Sequence, residues 1–434
     1  MKSQYDAIII GSGIIGGAVG LELARSGLAT LNVDRLPAAG YGSTSSSCAI
    51  IRFHYSTAAG VAMARESYYH WLDWPKYLSA PDENGMARYI NTGCLVIKDE
   101  TNQFLEPVMV LFDELNLAYE ELGPKELLEF VPFMDTRRYG PPVLPDDPRF
   151  GQPTGDSIAG AIYIPESGYI NDPQLACHNL QRACEARGGT FLFNAEVAEI
   201  LRGAERVEGV RLSDGREILS PVIVNAAGPH SRKINRLADV ESDMRILTRA
   251  LKKEVGHVPA PTGVDLELQG MIFTDGDTGS YARPEVGNHF LIGSIDPSCD
   301  PHEWVDPDDY DRGFTEQWKT QVMRACQRVP ELPIPGRKQG VVDLYDVSDD
   351  WLPIYDASNL PGFYMAVGTS GSQFKNAPVV GRLMAKLIAE VEKGHDHDAE
   401  PVQLELTFTR RSCDLGVFSR LRKPNPESSF SVIG

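Results

Sequence analysis

Four successive apolar residues, Ala7-Ile8-Ile9-Ile10, read as a strand buried on both faces. They enter Gly11-Ser12-Gly13-Ile14-Ile15-Gly16, after which Ala18, Leu21, Leu23 and Ala24 recur at helical spacing. A second apolar run, Leu31-Asn32-Val33, ends on Asp34, 23 residues after Gly11. Strand, glycine turn, helix, strand and acid, in that order, form the unit that holds a dinucleotide. Gly11 permits the tight turn, Gly13 the approach of a pyrophosphate and Gly16 the packing of helix on strand, while Asp34 accepts from a ribose hydroxyl. The helix N-terminus adds free N–H groups and a partial positive charge.

Further along, the pattern predicts a helix over 58–78 and strands over 88–98 with a turn at Asn91-Thr92-Gly93. The Pro-, Gly- and Asp-rich stretch 141–155 reads as an exposed connection. A helix then runs from Asp172, its N-cap, to about Ala186 and stops at Gly188-Gly189. Strands follow at 190–193, 207–212 and 222–224, the last ending in Asn225-Ala226-Ala227-Gly228. From 247 to 339 the texture changes to isolated strands among prolines and acids, as in an antiparallel sheet. The buried pattern returns in 362–368, followed by a helix over 378–391. The expectation is therefore an α/β (α+β) protein with a Rossmann-like domain and a second, mainly antiparallel domain.

Composition narrows the function. A formal charge of -19 excludes nucleic-acid and anionic-membrane surfaces, which need clustered Lys and Arg, and obliges any anionic substrate to meet locally placed basic residues. No apolar stretch approaches the ~18 residues of a membrane helix, and Asp6, Glu22 and Arg25 spoil a secretory signal. Seven scattered cysteines without a CxxC pair predict reduced thiols, a cytoplasmic protein and no metal site.

Three separated segments carry a resemblance: the strand-glycine-acid unit, Asn225-Ala226-Ala227-Gly228-Pro229-His230-Ser231, and Gly368-Thr369-Ser370-Gly371-Ser372-Gln373-Phe374-Lys375. In this order the chain resembles the D-amino acid oxidase superfamily of FAD enzymes, and within it the sarcosine oxidase and dimethylglycine dehydrogenase branch. Ile50-Ile51-Arg52-Phe53-His54-Tyr55 is similar to the segment that lies beside the flavin and carries a carboxylate-binding arginine. The resemblance implies a discontinuous FAD-binding domain over 1–88, 150–240 and 340–400, a substrate domain over 89–149 and 241–339, and a C-terminal extension over 401–434.

It also implies site residues. Gly11, Gly13, Ile14, Ile15 and Gly16 would hold the pyrophosphate end, with Asp34 and Arg35 at the ribose. Ser43, Thr44, Ser45 and Ser47 would continue toward the flavin, beside Cys48, Ala49 and Ile50. Val197 would meet the adenine, and Ala227 and Gly228 would flank the same cofactor. Gly368, Gly371, Ser372, Gln373, Phe374 and Lys375 would lie against the isoalloxazine. Arg52 and Lys375 match the two basic positions that hold a substrate carboxylate, and Tyr345 matches an active-site tyrosine. Tyr281 and Arg283 would face the flavin, Arg283 as a second carboxylate ligand or as the partner of Glu285. His54 would line the pocket or pack within the core.

The implied reaction is oxidation of a small carboxylated secondary or N-substituted amine, of the sarcosine, dimethylglycine or iminodiacetate type. A hydride leaves the carbon next to nitrogen for flavin N5, and water splits the resulting imine. Asp343 stands where monomeric sarcosine oxidases carry a flavin-linking cysteine, and 43–47 holds no histidine, so FAD is expected without a covalent link. Leu291 stands where sarcosine oxidases carry the lysine that assists oxygen reduction, which keeps a dye- or quinone-linked dehydrogenase open beside an oxidase. Oxidation of a 2-hydroxy acid, with His54 as base, and a non-catalytic FAD-bound assembly protein are the alternatives.

Overall fold

The computed structural model describes residues 3–99, 105–155, 157–426 and 428–433. At its centre is a six-stranded sheet in the order Ile354–Ala357, Phe363–Val367, Ile223–Asn225, Ala7–Ile10, Thr30–Val33, Thr190–Leu192. All neighbours are parallel except the first pair. The Ala7–Ile10 and Thr30–Val33 strands are buried at every position, because helices cover one face and a smaller antiparallel sheet, 197–219, lies in the core on the other. Helix Ile14–Arg25 packs between Pro173–Glu185 and Ala377–Val391. Glycines make this close approach possible: a Cβ on Gly16 would stand 2.2 Å from the Gly11 carbonyl oxygen, and one on Gly381 2.6 Å from that of Ala18.

A nine-stranded, largely antiparallel sheet forms the second layer. Its spine is the long strand Thr248–Pro259, which pairs with Gly340–Ser348 and His289–Ser294. Helix Glu316–Arg328 covers the far face through Trp318, Val322 and Ala325. The strands Ala161–Ile164 and Gly340–Ser348, expected in the nucleotide-binding part, belong to this sheet. The chain therefore crosses between the layers more often than the expected boundaries allow.

Two local expectations are corrected. The helix over 58–78 is two helices, Ala58–Leu72 and Trp74–Leu78, because Asp73 caps the second by accepting from the Lys76 N–H at 3.3 Å and Pro75 occupies its first turn. No turn forms at 91–93: Asn91 closes one strand, Thr92 and Gly93 are irregular, and the two strands do not pair with each other. Tyr89–Asn91 joins Gly168–Ile170, whereas Cys94–Ile97 joins Ile272–Asp275 and Ala161–Ile164.

The 401–434 extension adds a hairpin, Gln403–Leu406 with Arg411–Asp414, fastened to helix Ala58–Leu72 by Glu66. It then runs back toward the central cavity. All seven cysteines are free thiols, and among the described residues no helix is long and apolar enough to cross a membrane.

Candidate active site

A cavity of about 670 Å³ runs from the carboxyl ends of the parallel strands to the inner face of the large sheet. At its first end the glycine turn is built as the sequence requires. Gly11 has φ +114°, and a Cβ there would meet the Ala226 carbonyl oxygen at 2.3 Å. No side chain caps the helix at Gly13; Thr44 Oγ1 instead accepts from the Ile14 N–H at 3.1 Å. Asp34 accepts from the N–H groups of Ser12 (2.7 Å) and Leu36 (2.9 Å), which ties the acid to the turn. Burial pushes its pKa above the ordinary value against those two hydrogen bonds. Arg35, His230 and Lys233 converge on Asp308 at the mouth, within 2.5 to 3.0 Å. These charges are partly exposed and contribute little stability.

Gly11, Gly13, Ile14, Ile15, Asp34 and Arg35 all line the cavity. So do Ser43, Thr44, Ser47, Cys48, Ala49, Ile50, Val197, Ala227 and Gly228. Three residues of the expected cofactor set do not. Ser45 turns its hydroxyl to the Gly42 carbonyl while Ser46 takes its place on the wall. Gly16 serves packing against Gly11, and the Gly368 N–H is spent on Asp346 Oδ2 at 2.6 Å.

At the other end, 368–375 forms a tight loop with positive φ at Gly368, Ser370 and Gly371. Asp346 organises it: one carboxylate oxygen takes the Gly368 N–H, the other takes Ser231 Oγ, and its main-chain carbonyl takes the Ser370 N–H. Complete burial raises the Asp346 pKa to about 7 even so. A Cβ on Gly371 would lie 2.4 Å from the Tyr345 ring, so the loop is seated directly on that ring. Gly371, Ser372, Gln373, Phe374 and Lys375 line the cavity.

Arg52 and Lys375 face the same space, and both are buried. The Arg52 guanidinium lies 4.5 Å and the Lys375 ammonium 5.1 Å from the centre of the Tyr55 ring. Lys375 donates to Tyr55 Oη and to the Ser372 carbonyl, each at 2.8 Å. Arg52 donates to the carbonyls of His54, Val432 and Ile433. Neither has a carboxylate partner among the described residues. Burial, then the neighbouring Arg52, pushes the Lys375 ammonium well below the usual lysine range. Burial lowers Arg52 too. Two desolvated basic groups side by side are costly unless an anion joins them.

Tyr345 and Tyr281 also line the cavity, close enough for each phenol to bias the other's ionisation. The Tyr281 hydroxyl is 3.5 Å from Cys48 Sγ, and burial raises both phenols. Arg283 is not on the wall. Its guanidinium donates to Glu285 at 2.8 Å and to the Pro284 carbonyl at 2.8 Å, and stacks 4.2 Å from the Tyr169 ring. His54 is fully buried outside the lining, with Nε2 3.4 Å from Thr274 Oγ1. Burial, Arg52 and Lys375 hold it neutral, so it is a packed histidine. Sequence reasoning missed Lys253, which lies 5.7 Å from the Tyr345 ring and pairs with Asp296. It also missed Val432 and Ile433.

A family profile described as DAO, FAD dependent oxidoreductase, matches residues 6–387. The chain belongs to this family. It is 24% identical over 420 residues to a monomeric sarcosine oxidase of Bacillus sp., covering 91% of this chain and 96% of that one. It is 23% identical over 437 residues to FAD-dependent oxidoreductase domain-containing protein 1 of Bos taurus, covering 89% and 82%. The fold is similar to L-proline dehydrogenase from P. horikoshii, with a TM-score of 0.74 at 19% identity over 97% and 98% of the two chains. This DAO-family protein is thus an FAD-dependent oxidoreductase. The open helix N-terminus, the crowded glycines and a cavity long enough to join both ends fit that cofactor.

Proposed function

We propose that this protein oxidises a small carboxylated secondary or N-substituted amine, of the sarcosine, dimethylglycine or iminodiacetate type. The observation that carries the reading is the pair Arg52 and Lys375, buried beside one ring in one cavity with no acidic partner among the described residues. A carboxylate between them supplies the missing counter-charge and draws Lys375 back toward its ammonium form.

In this reading Gly11, Gly13 and Ile15 hold the pyrophosphate of FAD without a covalent link, Asp34 the ribose, and the 371–375 loop the flavin ring. The bound flavin supplies the hydride acceptor. The chain's own residues supply position: Arg52 and Lys375 fix the carboxylate, which sets the neighbouring C–H and leaves the amine lone pair free. Tyr345 and Tyr281, kept as neutral phenols by burial, line the same cavity with hydrogen-bonding tips. Oxidation of a 2-hydroxy acid would need a base on the wall, and His54 is not there. A non-catalytic role leaves the desolvated basic pair without purpose. Anaerobic mixing with matched amine and hydroxy-acid panels tests the reading. Bleaching of the flavin by carboxylated amines supports it, and bleaching by hydroxy acids alone refutes it.

A further inference from the structure

Arg52 is engaged by the chain's own C-terminal segment. Nη2 carries two hydrogens, and both are committed, to the Val432 carbonyl at 2.8 Å and the Ile433 carbonyl at 2.6 Å. A carboxylate grips arginine through two parallel N–H groups, either Nη1 with Nη2 or Nε with Nη2. Both forks need Nη2. A substrate carboxylate and residues 432–433 therefore contend for the same hydrogens.

Resting on the reading of Arg52 as the carboxylate anchor, we propose that residues 428–433 are a displaceable plug of the substrate cavity, the Val432 and Ile433 carbonyls standing where the substrate carboxylate binds. The segment is suited to leave. It forms neither helix nor strand. Its near end is pinned by Ser428 Oγ donating to the Asp350 carbonyl at 2.6 Å, just beyond the Arg422 pair with the Asp350 carboxylate. Further on, the Phe430 and Ile433 N–H groups donate locally, to Ser428 and Ser431 hydroxyls at 3.2 Å each. Val432 packs its side chain against Leu251, Val347 and Trp351, next to Tyr345. One apolar anchor and two carbonyl contacts to Arg52 thus hold the segment's far end.

Displacement is selective by charge. The two carbonyls meet Arg52 as separate neutral acceptors, whereas a carboxylate adds an opposite formal charge in a desolvated site and a parallel two-bond fork, so a carboxylate removes the plug and a neutral or cationic amine does not. The plug admits ligands that carry the group Arg52 was placed to hold, and it shields a desolvated guanidinium from water in their absence.

Hydrogen exchange of the full FAD-loaded protein tests the proposal with propionate, a carboxylate that has no amine to oxidise. Saturating propionate is expected to speed exchange over 428–433 several-fold, and n-propylamine to leave it unchanged. In parallel, a chain stopped after Pro426 is expected to bind propionate roughly ten-fold or more tightly by flavin absorbance, as when one competing contact is removed. If propionate perturbs the flavin but exchange over 428–433 slows or stays constant, the segment is a fixed wall and the plug is refuted, while Arg52 stands as an anion site. Unchanged or weaker propionate binding by the shortened, folded chain refutes it equally. Propionate that fails to bind either chain overturns both the plug and the anion site beneath it.

Discussion

Replacing Arg52 by alanine removes the guanidinium while leaving Lys375 and the Tyr55 ring in place. The expected loss follows from what Arg52 exchanges on binding. Two charge-assisted hydrogen bonds to a buried carboxylate contribute about 1.5–3 kcal/mol each. Two hydrogen bonds to the Val432 and Ile433 carbonyls, about 1 kcal/mol each, are given up in return. The net is about 1–4 kcal/mol, which corresponds to a rise in Kd of roughly 5- to 900-fold. Arg52→Lys recovers only part, because an ammonium cannot offer a planar fork. The assay is an anaerobic titration of the flavin absorbance with N-methylglycine, paired with an N-methylamine of similar size that lacks the carboxylate. The penalty must fall on the carboxylated ligand alone. Equal losses for both ligands, or a change below three-fold, would refute the placement of the carboxylate on Arg52.

Asp346 makes stability pH-dependent. Its folded pKa is raised to about 7, whereas the unfolded chain releases the proton near 3.8, so stability falls as pH climbs through that interval and levels off above it. Denaturant unfolding of Asp346→Asn at pH 4.5 and 7.5 should show most of this slope gone, with about 4 kcal/mol as its upper bound. Glu66, fully buried, accepts from Arg382 and from the N–H groups of Thr407, Phe408 and Thr409. Glu66→Ala leaves these donors unpaired and should cost about 3–5 kcal/mol in urea unfolding, and a loss under 1 kcal/mol contradicts the role. Acid precipitation should release all the flavin into the supernatant; yellow colour retained by the pellet shows a covalent link.

What the sequence made legible was local in the chain. The unit from Ala7 to Asp34 is contiguous, and each of its residues has a geometric reason that a short window contains. Asp172 before Pro173 announced a helix in the same way. The equivalent signal at Asp73 and Pro75 sat inside a longer helical pattern and was hidden by it. Turn chemistry at 91–93 marked the break between two strands but not that each joins a different sheet, because their partners are supplied by 161–164, 168–170 and 272–275. Arg283 was ambiguous because a charge in an apolar strand suits a ligand or a neighbour. Glu285, two residues on along the same strand and so on the same face, settles it as a neighbour. The segment 428–433 carries no pattern that names a partner, and its contact with Arg52 spans 380 residues.

The chain's charge and its basic site are reconciled by distance. With a formal charge of -19 the surface disfavours an approaching anion, but at physiological ionic strength this field decays over about 8 Å. Arg52 and Lys375 act at contact, in a desolvated cavity where each interaction is several-fold stronger than in water. The exposed bases at the mouth do little to attract ligand, because Arg35 and Lys233 are already neutralised by Asp306 and Asp308. Recognition of the carboxylate therefore depends on what happens after entry. The desolvation of Arg52 and Lys375 that burial imposes in the free protein is what makes a single negative charge count so heavily once it arrives between them.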